Sequence, residues 1–161
     1  MRALKLIQLM QANAVLMSEA LVLKIRASRR CRELLLRVPE KEQRQYASEI
    51  YRDLTAWLAN ESDLCSIVEK RYAHLGARRA NQEVPLSQIL WAVSIAREHL
   101  WEYAQQECFH EEPIEFMGGV VLLRSLNRFF DEVLYSAING YEKAGQNESA
   151  GIASSVSRRS A

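Results

Sequence analysis

An all-α, single-domain bundle of about five or six helices is predicted, and three observations carry that expectation. Apolar residues recur at steps of three and four along most of the chain. Only three prolines and six glycines occur, few for a sandwich or barrel built on many turns. No segment alternates apolar and polar residues with the period of a strand. The 161 residues, 48% hydrophobic and 25% charged, suffice for one domain with a real core.

A first helix is expected over residues 2–27, because Ala3, Ile7, Met10, Ala14, Met17 and Leu21 share one face. Leu16, Val22, Leu23 and Ile25 widen that face, so the helix needs either two packing partners or a dimer seam. A short basic segment, Arg29 to Arg37, follows and carries Leu34, Leu35 and Leu36 inward. Pro39 suits the first turn of the next helix, with Glu40 and Glu42 at its positive end. Tyr46, Ala47, Ile50, Leu54, Trp57 and Leu58 form its stripe, and Asn60 closes it.

Ser62 predicts an N-cap for another helix, which turns Leu64, Ile67, Val68, Tyr72 and Leu75 inward. A second face of that helix is made of small residues, Ala73, Gly76, Ala77 and Ala80. Small side chains let a neighbour approach closely, which compensates the roughly 1 kcal/mol cost of a mid-helix glycine. Pro85 opens the next helical segment, with Leu86, Ile89, Val93, Ala96, Leu100 and Tyr103 on its main stripe. Trp91 and Ile95 make its first half apolar on nearly all sides, which predicts a central, buried helix.

After an acidic connection, Glu107–Glu112, Pro113 is expected to start the last long helix. One of its stripes runs Phe116, Val120, Leu123, Phe130, Leu134, Ile138 and Tyr141; a second holds Leu122, Leu126, Phe129, Val133 and Ala137. From Gly145 onward the chain is rich in Gly, Ser and Ala and has little to bury. The helical domain is therefore expected over 1–144, with 145–161 as a disordered tail.

Several function classes are disfavoured. A net charge of +1 exerts no whole-molecule pull on nucleic acid, although Lys24, Arg26, Arg29, Arg30 and Arg32 crowd one stretch. No helix-turn-helix skeleton follows that cluster, so no nucleic-acid partner is expected. No stretch approaches the ~20 apolar residues of a membrane span, and Gln8, Gln11, Asn13 and Glu19 interrupt any leader-like run. A cytoplasmic protein without membrane contact is expected. Cys31, Cys65 and Cys108 are odd in number and form no CxxC pair, which points to reduced thiols. Cys108 and His110 lack the further ligands of a zinc site, so no metal is expected.

No GxSxG, P-loop or GxGxxG motif occurs, and neither catalytic residues nor a cofactor are predicted. The competing reading is a small-ligand or haem pocket using Trp91, His99 and Tyr103, although spacing places His99 at a surface or boundary position. A third is histidine phosphotransfer. His74-Leu75-Gly76-Ala77-Arg78 faintly echoes the phosphotransfer box, but the spacing differs and the lysine is missing. An ordinary helix histidine beside a glycine crossing is the simpler account.

The most individual stretch runs Tyr72-Ala73-His74-Leu75-Gly76-Ala77-Arg78-Arg79-Ala80-Asn81-Gln82-Glu83-Val84-Pro85-Leu86-Ser87. It leads into Arg97-Glu98-His99-Leu100-Trp101-Glu102-Tyr103, and the chain closes with Phe129-Phe130 to Tyr141. Over roughly residues 12–143 this resembles the N-terminal domain of RsbRD-type proteins, co-antagonists of the RsbT kinase in the bacterial stressosome. Related domains stand at the front of sensor histidine kinases. The resemblance implies a globin-like, all-α input domain that dimerises and passes a signal to an attached output domain; the partner expected is a regulatory protein such as a kinase or a STAS-domain protein. It makes Tyr72, Gly76, Arg78, Arg79, Pro85, Trp101 and Tyr141 structural signature residues and supplies no catalytic ones. Family members usually continue into a STAS, PAS or kinase domain, whereas this chain stops after its tail. The expectation is a stand-alone version acting through a partner, or a part of a longer gene product.

Overall fold

Asn13 divides the first predicted helix in two. The computed structural model describes residues 2–108 and 116–159. In chain order it contains α1 (Arg2–Ala12), α2 (Ala14–Ala27), a 3-10 turn (Arg29–Cys31) and α3 (Arg32–Arg37). Then follow α4 (Glu40–Ala59), α5 (Glu61–Asn81), α6 (Leu86–Cys108) and α7 (Phe116–Arg159). The fold is all-α, with no strand among the described residues. Seven helices among the described residues replace the expected five or six, mainly because α1 and α2 meet at 81°. The break falls at Asn13, whose Nδ2 donates to the Leu9 carbonyl (3.0 Å), beside its own backbone N–H, and to the Tyr103 hydroxyl of α6 (3.1 Å). A side-chain amide that competes for an i−4 carbonyl unsettles the helix at that point. No single helix among the described residues is long and apolar enough to cross a membrane.

Pro39 stands immediately before α4 and Pro85 immediately before α6, close to their expected places. Asn60, the last residue before α5, serves both neighbouring helices. Its backbone N–H closes α4 on the Ala56 carbonyl (3.0 Å), and its Nδ2 reaches Asp63 (2.6 Å). The cap expected at Ser62 therefore falls to a junction centred two residues earlier. Pro113 and most of the acidic connection, including Glu111 and Glu112, lie outside the described residues, while Glu107 is part of α6.

The core gathers Leu21, Ile50, Leu54, Leu100 and Leu126 around an aromatic centre on α7. Phe129 meets Trp57, Tyr72 and Phe130 edge to face, at centroid distances of 5.7, 6.4 and 5.3 Å. Edge contacts of this kind set the positive ring edge on the negative face and add to area burial. Several expected core residues turn outward instead, among them Leu36 at 71% exposed, Ile67 at 47%, Val120 at 43% and Trp91 at 38%. Trp91 carries the Arg30 guanidinium over its ring at 4.1 Å, a cation–π contact that suits a rim position.

Helices α5 and α7 form the most extensive pair. They cross where the small face of α5 was predicted to admit a neighbour. A Cβ added at Gly76 would strike the Ala137 carbonyl, and one at Gly140 would strike that of Ala73. The backbones touch because neither glycine holds them apart.

α5 ends in a Schellman turn. The Val84 N–H reaches the Arg79 carbonyl (3.1 Å) and the Glu83 N–H that of Ala80 (2.9 Å), while Glu83 takes φ 56°. Tyr141 of α7 then donates to the Val84 carbonyl at 2.7 Å, which ties the turn to the last helix.

The segment from Gly145, expected as a disordered tail, is helical in the structure as far as Arg159. All its described side chains, Gly145 to Arg158, are exposed. The physical reason is helix propagation: extending a packed helix adds one hydrogen bond per residue fixed and avoids the cost of nucleation.

Candidate functional site

The start of α4 and the end of α5 lie side by side, which sets acidic residues of one against basic residues of the other. Glu42 stands in the first turn of α4, Arg78 and Arg79 in the last turn of α5. These are the ends where each charge is favoured by its own helix dipole. The Glu42 carboxylate accepts from Arg78 Nη2 (2.6 Å), Arg79 Nη1 (2.8 Å) and Gln82 Nε2 (3.2 Å). Arg79 is buried and also donates to Gln82 Oε1 at 2.7 Å. Burial works to raise the Glu42 carboxyl, but the hydrogen bonds from Arg79, Arg78 and Gln82 outweigh it and hold it below the ordinary carboxylate value.

Beside this cluster lies a small, partly open chamber of about 30 Å³. Aliphatic side chains from α2, α3, α5 and α6 wall it, among them Val22, Ile25, Leu34, Leu75 and Ile89. Gln43, Tyr46 and Arg79 supply its polar atoms. Gln43 spends its amide nitrogen on the carbonyls of Val38 (2.8 Å) and Leu35 (3.4 Å), which leaves its Oε1 buried and without a partner. The Tyr46 hydroxyl is also buried and unpartnered, and burial pushes its ionisation well above the ordinary phenol value. A buried polar atom without a partner costs about 1–3 kcal/mol. Both residues line this chamber; among the described residues the Trp57 indole N–H is likewise buried and without a partner, away from it. An outer cleft of about 270 Å³ between α4 and α5 shares Tyr46, Leu75 and Arg79 with the chamber.

Two further polar groups join helices within the bundle. Asp53 of α4 is buried, bonded by Arg71 and by the Tyr72 hydroxyl (3.0 Å) of α5. Tyr51 of α4 and His99 Nδ1 of α6 share a buried hydrogen bond of 2.6 Å. Burial pushes the His99 imidazolium below the ordinary histidine value, and the Lys24 ammonium acts in the same direction. Lys24 pairs with Glu102 at 2.5 Å, so part of the basic stretch near α2 and one member of the acidic stretch neutralise each other within the chain.

The residues expected as a structural signature divide by task. Tyr72, Arg78 and Arg79 bond α5 to α4, Gly76 admits α7, and Tyr141 holds the turn before Pro85. Trp101 is half-buried on α6. Trp91, His99 and Tyr103 each engage a different partner: Arg30, Tyr51 and Asn13. His99 is buried, which corrects its expected boundary position; the Tyr51 hydroxyl lets an imidazole face the interior. His74 is exposed on the rim of the outer cleft. Cys31 is buried and Cys65 exposed. The side chains of Cys108 and His110 lie outside the described residues, and no group of metal-binding side chains gathers among the described ones.

Sequence reasoning missed Gly140, Gln43 and the buried Asp53. Only Gly140 had a readable signal, since Ala137, Gly140 and Ala144 repeat the small-residue spacing of α5 on α7.

Fold and site together define an all-helical bundle domain whose buried polar groups bond one helix to the next. The chain belongs to the RsbRD N-terminal domain family: the family model for the "RsbT co-antagonist protein rsbRD N-terminal domain" matches residues 17–151. No curated protein and no solved structure matches the chain.

Proposed function

We propose that this chain is a non-catalytic, globin-like input module of bacterial stress signalling, acting in the cytoplasm as a homodimer. It passes its signal to a regulatory partner, a kinase or a STAS-domain protein, or to an output domain on a longer chain. Family membership supports the regulatory role. The observation that carries the dimer is the outer face of α2. Leu16 and Leu23, seven residues apart, are 67% and 65% exposed, and Val15 beside them is 69% exposed. Large apolar side chains at helical spacing are costly to leave in water and favour a second apolar face.

Light scattering of the purified chain at tens of micromolar decides the point. A dimer is expected, and the double substitution Leu16→Glu with Leu23→Glu should yield a folded monomer. A clean wild-type monomer at that concentration sinks the proposed dimer.

A further inference from the structure

The chamber beside Glu42 and Arg79 contains the elements of a small-molecule site. Its unpartnered atoms specify the chemistry. Gln43 Oε1 can only accept a hydrogen bond, because the amide nitrogen is held by the Val38 and Leu35 carbonyls. The Tyr46 hydroxyl can donate or accept, and nothing in the protein engages it. An occupant that satisfies both atoms must therefore carry a donor and an acceptor on one compact group. A hydroxyl or a primary amide does so.

Charge is excluded from both directions. The Arg79 guanidinium disfavours an ammonium, while its hydrogen bonds to Glu42 and Gln82 leave it already neutralised and poorly placed to recruit an anion. The remaining walls are aliphatic, so the rest of the occupant must be apolar and small.

We propose that this chamber binds small neutral alcohols or amides of about four non-hydrogen atoms. The donor group bonds Gln43 Oε1 and the acceptor takes the Tyr46 hydroxyl proton. The aliphatic end packs on Val22, Ile25 and Ile89. Tyr46, Leu75 and Arg79 line both this chamber and the outer cleft between α4 and α5, which makes that cleft the proposed entry. A volume near 30 Å³ has room for one or two water-sized groups, so a larger body requires Leu75 to move aside. With about four non-hydrogen atoms, dissociation constants of tens of micromolar are the ceiling, and about millimolar values are expected. The inference goes beyond the regulatory reading, since it concerns binding by this chain alone.

Four ligands of nearly equal size test it: 2-propanol, acetamide, acetone and acetate. Each is titrated to about 100 mM into the full chain while the methyl resonances of Val22, Ile25, Leu34, Leu75 and Ile89 are followed. Saturable shifts confined to these methyls are expected for 2-propanol and acetamide. Acetone, which has no donor, should bind about five- to tenfold more weakly, and acetate should not bind. Tyr46→Phe should weaken 2-propanol by a similar factor, and Ala92→Leu should fill the chamber and abolish the shifts. The ligand comparison uses the wild-type chain, so it decides the matter even where a variant fails to fold. A chamber holding only ordered water gives no saturable shift for any ligand and overturns the proposal. Equal binding of acetone and 2-propanol overturns it too.

Discussion

Gly76 lies so close to Ala137 that a Cβ at position 76 would fall 2.8 Å from the Ala137 carbonyl carbon and 3.0 Å from its Cα. Gly140 stands to Ala73 in the same way, at 2.6 and 2.7 Å. The relationship is reciprocal, so α5 and α7 meet backbone to backbone at two points one helical turn apart.

Gly76→Ala is the sharpest test of this crossing. In an exposed helix the change would gain about 1 kcal/mol. Here the obstacle is backbone, which cannot swing away like a side chain, so a net loss of about 3 kcal/mol or more is expected. Urea unfolding measures it. A stability equal to or above wild type would mean that α7 stands farther off.

Arg78 and Arg79 share Glu42 but differ in burial, so their losses should differ. Arg79→Ala removes a buried partner and should cost about 3 kcal/mol. Arg78→Ala, at an exposed position, should cost less than about 1 kcal/mol. The Glu42 carboxyl is held below its unfolded value. Its contribution is therefore present above about pH 4.3 and lost as pH falls toward the folded value. An acid-unfolding midpoint shifted to higher pH in Arg79→Ala checks this sign.

Glu83 occupies the position where a Schellman turn ordinarily holds glycine. Its φ of 56° strains an L side chain, and its exposed ion pair with Arg37 offsets only a few tenths of a kcal/mol. Glu83→Gly should therefore stabilise the chain by about 0.5–1 kcal/mol, whereas Glu83→Ala should not. Thermal unfolding of the two variants separates backbone conformation from charge.

His99 predicts a pH dependence near neutrality. Its folded value lies below the unfolded value of about 6.5, so the unfolded chain binds the proton more readily. Its stabilising effect is complete above that value and declines as pH falls through it. The urea midpoint of the wild type should drop between pH 7.5 and 5.5. The drop should be smaller in His99→Phe once each variant is referred to its own value at pH 7.5.

Helix order and most core stripes were legible because a helical face repeats every three to four residues, and that information is local. Met17, Leu21, Ile50, Leu54, Val68 and Phe130 are buried on their predicted stripes. The close crossing at Gly76 was legible too, since a mid-helix glycine among alanines needs compensation. The break at Asn13 was not, because the second partner of its side chain is Tyr103, ninety residues away. Leu36 and Ile67 read as core from their neighbours, but a stripe does not say how much of its width a partner will cover.

The sequence by itself determined an all-α chain, a small-residue seam on α5 and membership of a family recognisable between residues 17 and 151. These rest on local periodicity and on the order of residues along the chain. Only the tertiary structure decided that Gly140 answers Gly76, that Glu42 gathers Arg78, Arg79 and Gln82, and that Gln43 and Tyr46 face one chamber without partners. Each of those depends on where distant helices cross, and crossing geometry follows from the fit of whole surfaces.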